Sequence, residues 1–178
     1  MDRDGVISKD RPDYITSWKE FEFIPRSLEA IKALSENGFA PIVITNQSAV
    51  HRGLITRNSL EEIHEKMNDA ITSHGGRIET IYVCPHTPED GCNCRKPKPG
   101  LILQAQKDYH LDLSRIPMIG DDKKDIVAAR EAGCGMTILV RTGKGKETER
   151  RLREEGIIVD YVADDLLDAV QWLLNKEK

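Results

Sequence analysis

Apolar segments of two different periods alternate along the chain, and that alternation restricts the fold more than any other feature. Residues 39–45, Phe-Ala-Pro-Ile-Val-Ile-Thr, form a continuous apolar run, the mark of a strand buried in a parallel sheet. The segment before it, 27–38, places Leu28, Ile31 and Leu34 on one helical face and stops at Gly38. The same pairing recurs downstream. Ser59-Leu60-Glu61-Glu62 reads as a capping box opening a helix that carries Leu60, Ile63, Met67 and Ile71 and closes at Gly75-Gly76. Further strands are predicted over 78–84, 116–119, 136–140 and 157–162, and further helices over 99–109, 125–132, 147–155 and 165–175. Strands alternating with helices give an α/β domain with a mainly parallel sheet and right-handed crossovers. At 178 residues the chain fits one domain, 1–178, with enough apolar material for its own core.

In sheets of this kind, chemistry sits beyond the carboxyl ends of the strands. Four polar segments fall at such places: Asp2-Arg3-Asp4-Gly5, Thr45-Asn46-Gln47-Ser48, Arg95-Lys96-Pro97, and Gly120-Asp121-Asp122-Lys123-Lys124-Asp125. In the first, two carboxylates stand two residues apart. A carboxylate beside a second carboxyl group and a cation is the apparatus for nucleophilic attack on phosphorus. Taken singly, each segment also reads as ordinary local structure, an Asp-Gly turn or a helix N-cap. Their coincidence at strand ends points to a site.

Three of the four cysteines lie between positions 84 and 94. With His86 they make Cys84-Pro85-His86 and Cys92-Asn93-Cys94, a set that suits tetrahedral zinc. Four protein ligands leave no open position, so the predicted zinc is structural and fixes the loop that presents Arg95 and Lys96. A redox cluster or incidental thiols are the other readings. Cys134, between two glycines, is expected as a small core residue. The net charge of −4 gives no reason to expect a nucleic acid partner, and an anionic substrate would need a local basic cluster. No run of about 18 apolar residues crosses a membrane, and the first residues carry no apolar signal region, so a cytoplasmic protein is expected.

The four polar segments resemble, over nearly the whole chain, the four motifs of the haloacid-dehalogenase-like (HAD-like) phosphatases. The resemblance implies a three-layer Rossmann-like domain with a zinc-binding loop, and a Mg²⁺-dependent phosphatase working through an aspartyl-phosphate. Carried over, Asp2 is the nucleophile and Asp4 the general acid/base, while Thr45 and Lys96 hold the phosphoryl oxygens. Asp2, the backbone carbonyl of Asp4, and Asp121 are the implied Mg²⁺ ligands. Cys84, His86, Cys92 and Cys94 are the implied Zn²⁺ ligands. Asn46, Arg95 and Lys96 are implied in substrate binding, and Arg52 either joins them or pairs with a nearby acid.

Within the family, Cys-x-His…Cys-x-Cys-Arg-Lys-Pro resembles two branches, the heptose-bisphosphate and the histidinol-phosphate phosphatases. The five-residue gap between His86 and Cys92 resembles the second, although short loops also occur in the first. Residues 13–15 with 21–24, residues 45–53, and residues 140–144 resemble the first. The implied substrate is then a small phosphorylated sugar, D-glycero-D-manno-heptose 1,7-bisphosphate, cleaved at its 7-phosphate on the way to nucleotide-activated heptose for surface glycans. The rivals are histidinol phosphate as substrate and a zinc-stabilised binding protein without catalysis. A monomer is expected by the same resemblance. Two departures stand out. Only Met1 precedes Asp2, where the family has an apolar first strand, so that strand is either missing or completed by about 5–6 upstream residues. Asp122 follows Gly120-Asp121 where Lys is frequent.

Overall fold

The computed structural model describes residues 1–176. The apolar run at 39–45 yields β1, Ile42–Asn46, which pairs in parallel with β2, Thr80–Cys84, from Ile42 opposite Thr80 to Asn46 opposite Cys84. A second parallel ladder runs in the order β3-β4-β5, formed by Pro117–Gly120, Met136–Val140 and Tyr161–Ala163. The N-terminus joins the two ladders. The Met1 ammonium donates to the Ile42 carbonyl at 2.9 Å. The Ile44 N–H donates to the Met1 carbonyl and the Asp2 N–H to the Ile119 carbonyl, each at 2.9 Å. Met1 and Asp2 thus form a two-residue seam between β1 and β3. Beyond Met1 the line of the seam continues as an apolar slot of about 150 Å³, lined by Ile42, Leu113, Pro117, Met118 and Cys134 among others.

Side chains on successive strand residues face opposite ways, and here they select the two outer layers. Val43 and Ile119 pack with α1 (Ser27–Glu36), α2 (Arg57–Ser73) and α6 (Leu166–Lys176). Their neighbours Ile44 and Met118 pack with α3 (Gly100–Tyr109) and α4 (Lys123–Ala132). Leu139 joins Ile126 of α4 and Leu152 of α5 (Gly145–Glu154). The result is the expected three-layer α/β architecture with parallel strands. Ile31 and Met67 are wholly buried, and each such side chain contributes roughly 1.5–3 kcal/mol through lost contact with water.

Three local expectations are corrected. Helix α2 begins at Arg57, not Ser59, because Thr56 is the cap and its side chain accepts the Ser59 N–H at 3.0 Å. Helix α4 begins two residues before Asp125, with Asp122 as N-cap and Asp125 closing a capping box. The last strand is only Tyr161–Ala163. The residues before it run as coil because Asp160 binds Thr137 with its side chain: the Thr137 N–H donates to Asp160 Oδ2 at 2.7 Å.

Candidate active site

The seam delivers Asp2 to the carboxyl ends of β1 and β3. There Asp2 Oδ1 accepts the Arg3 N–H at 2.7 Å, and Asp2 Oδ2 lies 2.9 Å from Lys96 Nζ. Lys96 reaches this point from the loop after β2. Its ammonium also donates to the Ile44 carbonyl at 2.7 Å. Its backbone is clasped by Asn46, whose side-chain amide donates to the Lys96 carbonyl at 3.0 Å and accepts its N–H at 3.1 Å. Burial works against the Asp2 charge, but Lys96 and Lys124 hold its carboxyl below the usual range.

Asp121 directly follows β3 and fits under two glycines. A Cβ on Gly5 would sit 2.1 Å from Asp121 Oδ2, and one on Gly143 would sit 2.2 Å from it. Both glycines also have positive φ, +81° and +55°, so two separate demands fix them. Thr142 closes the arrangement by donating its hydroxyl to the Gly5 carbonyl at 2.6 Å.

Asp2, Asp121 and Asp125 each present an oxygen within 4.8 Å of the others, and all three are buried. Burial, then the charges of Asp125 and Asp2, pushes the Asp121 carboxyl up to about 8. Asp125 is pushed up to about 6, chiefly by burial, with Lys96 opposing. Asp125 Oδ1, fully buried, lies 2.7 Å from Lys96 Nζ, so one ammonium serves both Asp2 and Asp125. Three buried carboxylates short of positive charge are a donor set for a hard, oxygen-seeking divalent cation. Asp125 therefore joins the set in a place that sequence reasoning had left to Asp2, Asp121 and the Asp4 carbonyl.

The Asp4 carboxylate takes no part in that set and faces the other way. Arg3 grips it with Nε on Oδ1 and a terminal nitrogen on Oδ2, both at 2.9 Å. Gln47 donates to Oδ2 at 2.7 Å and Ser8 to Oδ1 at 3.0 Å. Asp4 still borders the cleft, about 510 Å³, that also opens onto Asp2, Thr45, Asn46, Arg95 and Asp121. Arg11, Lys124 and Lys144 also line it, with Asp10 beside Lys144. With Arg95 these three supply the local basic cluster that an overall acidic chain would need for an anionic ligand.

About the second constellation, the distances speak for a metal. The three sulfurs lie 3.2, 3.4 and 3.6 Å apart, and His86 Nδ1 lies 3.3 Å from Cys94 Sγ and 3.7 Å from Cys84 Sγ. Zinc–sulfur bonds of ~2.3 Å in a tetrahedron put ligand atoms under ~4 Å apart, so the four residues fit zinc. All four cysteines are free of disulfides. Arg95 is tied to the cluster because its guanidinium donates to the His86 carbonyl at 2.8 Å.

A family model described as HAD-hydrolase-like matches residues 93–169. The D-glycero-beta-D-manno-heptose-1,7-bisphosphate 7-phosphatase of Pseudomonas aeruginosa is 42% identical over 175 residues, 98% of this chain and 96% of its own length. The chain belongs to the HAD-like phosphatases. The like-named protein of Bordetella bronchiseptica is 41% identical over 177 residues, 99% of this chain and 97% of its own. The crystal structure of D,D-heptose 1,7-bisphosphate phosphatase from B. bronchiseptica, complexed with magnesium and phosphate, matches with a TM-score of 0.92 at 39% identity. It covers 98% of this chain and 96% of that one.

Within this HAD-like phosphatase, the four motif segments converge as the alternation of strands and helices requires. Two of the expected substrate contacts do not line the cleft. Lys96 is buried against Asp2 and Asp125, and the Arg52 side chain is exposed and lies 4.0 Å from Glu89. Asp122 is absorbed by the helix, where its side chain accepts the Lys124 N–H at 3.3 Å. Cys134 is partly buried and borders the apolar slot. Arg3, Gln47 and Lys124 were not singled out from the sequence, because only the folded chain brings them to Asp4 and Asp2. No helix of the described residues is long and apolar enough to cross a membrane.

Proposed function

We propose that this HAD-like phosphatase removes the 7-phosphate of D-glycero-D-manno-heptose 1,7-bisphosphate through a phosphoryl-aspartate on Asp2. The observation that carries the reading is the pairing of buried Lys96 with Asp2, which lines a cleft together with Arg11, Arg95, Lys124 and Lys144. A substrate with two phosphates suits such a cleft, and the relatives of about 40% identity bear the name of that activity.

In this reading Asp2 attacks phosphorus as the bond to the sugar oxygen breaks, and Asp4 gives that oxygen its proton. Asp4 then takes a proton from water as the water attacks the phosphoryl group. Phosphate leaves and the Asp2 carboxylate is restored. Lys96 and Thr45 hold the phosphoryl oxygens, with Asn46 fixing Lys96 through its backbone. Asp2, the Asp4 carbonyl and Asp121 would hold Mg²⁺, with Asp125 beside them. The ion would supply positive charge to the phosphoryl oxygens, where positioning and charge stabilisation do most of the work. Cys84, His86, Cys92 and Cys94 would hold a structural Zn²⁺. The same reading places the enzyme, as a cytoplasmic monomer, on the route to nucleotide-activated heptose for surface glycans.

The test is phosphate release from heptose 1,7-bisphosphate and from histidinol phosphate with Mg²⁺, for the parent and for Asp2→Asn. Preference for the heptose substrate, with no turnover in the variant, is expected. Preference for histidinol phosphate would transfer the protein to the other zinc-loop branch. Substantial turnover in Asp2→Asn would rule out the covalent route.

A further inference from the structure

Arg3 sits between the two acids of the first motif, yet its side chain is only 1% exposed. Its guanidinium is a fork with two working ends. One end grips Asp4 in the bidentate contact described above. The other, NH1, lies 2.9 Å from Nε2 of His64, a residue 61 positions away on α2. Guanidinium is a donor only, so Nε2 must accept and the imidazole proton must sit on Nδ1. His64 is 8% exposed, and burial together with the Arg3 charge pushes it down to about 3, which keeps the ring neutral and accepting.

From this chain of contacts we infer that His64 is a positioning residue for Asp4, acting through Arg3. The inference rests on the proposed acid/base role of Asp4. Its platform is firm: Leu60, Ile63, Met67 and Ile71, on the turns around His64, are all buried in the main core. The N-terminus of α2 is pinned by the Thr56 cap. A planar fork held at both ends has one orientation, so the carboxylate it grips has one as well. Without the His64 acceptor, NH1 is a buried donor lacking this partner. The fork then turns to seek another acceptor and carries Asp4 with it, against the hold of Gln47 and Ser8.

The experiment is a double-mutant cycle on phosphate release, with melting temperature followed in parallel. The variants are His64→Leu, His64→Gln, Asp4→Asn and His64→Leu/Asp4→Asn. Gln keeps an acceptor at the reach of Nε2, and Leu removes it. His64→Phe, which preserves ring shape, replaces Leu should that variant fail to fold. We expect Leu to lower kcat about 10- to 100-fold, the scale on which a misplaced group acts, with KM nearly unchanged. Gln should restore most of the loss, and Leu should cost nothing further once Asp4 is Asn. Parental kcat in His64→Leu, the same loss in both Asp4 backgrounds, or a folded His64→Gln as slow as Leu would each overturn the inference. If Asp4→Asn itself turns over like the parent, the assignment of Asp4 falls first and the inference falls with it.

Discussion

Lys96 Nζ and Asp2 Oδ2 lie 2.9 Å apart in side chains that are 0% and 5% exposed. Desolvating both charges is costly, and only their mutual attraction and the further contacts to Asp125 and Ile44 offset it. Lys96→Met should therefore strand buried carboxylates without their cation. Removing one partner of such a pair typically costs about 3–5 kcal/mol. Urea unfolding should show a loss of that order, and phosphate release should vanish. A stable, inactive variant would mean that the acids had taken up protons or water instead.

Asp121 makes stability depend on pH in a direction opposite to the usual carboxylate. Asp121 is raised from 3.8 to about 8, so the folded, metal-free protein binds more protons than the unfolded chain across that interval. Its contribution to stability is fully present below 3.8 and is lost as pH rises through about 8. The melting temperature of metal-free protein should carry this downward slope, and Asp121→Asn should flatten it. Added Mg²⁺ competes with these protons, so its stabilising effect should grow as pH rises. A Mg²⁺ effect independent of pH would separate the ion from this cluster.

About one zinc per chain is expected from metal analysis of protein prepared without chelator. Cys92→Ala should lose it. Arg95 should then lose its anchor on the His86 carbonyl, so the kinetic damage should appear as a higher KM for a substrate with two phosphates. Zinc-free parent protein with full activity would refute the assignment.

What the sequence made legible followed from periodicity. The run at 39–45 and the face made by Leu28, Ile31 and Leu34 survive in the fold because apolar spacing decides which side of an element is buried. Spacing also placed Cys84, His86, Cys92 and Cys94 in one cluster. The boundaries moved where a side chain intervened, as Thr56 did for α2 and Asp160 for β5. Arg3 with His64 was illegible, because a buried arginine between the proposed catalytic acids looks like any charged residue until its partner, a helix away, is known. Arg52 was left between two roles for a similar reason: a loop arginine near a motif can reach a ligand or pair with an acid, and here its side chain lies 4.0 Å from Glu89.

Met1 and Asp2 are fastened to both ladders at once, through the Met1 ammonium on Ile42, the Ile44 N–H on Met1 and the Asp2 N–H on Ile119. The carboxylate proposed to attack phosphorus therefore shares its backbone footing with the two halves of the sheet. Deuterium uptake at the Ile44 and Asp2 amides then reads how often that footing is released.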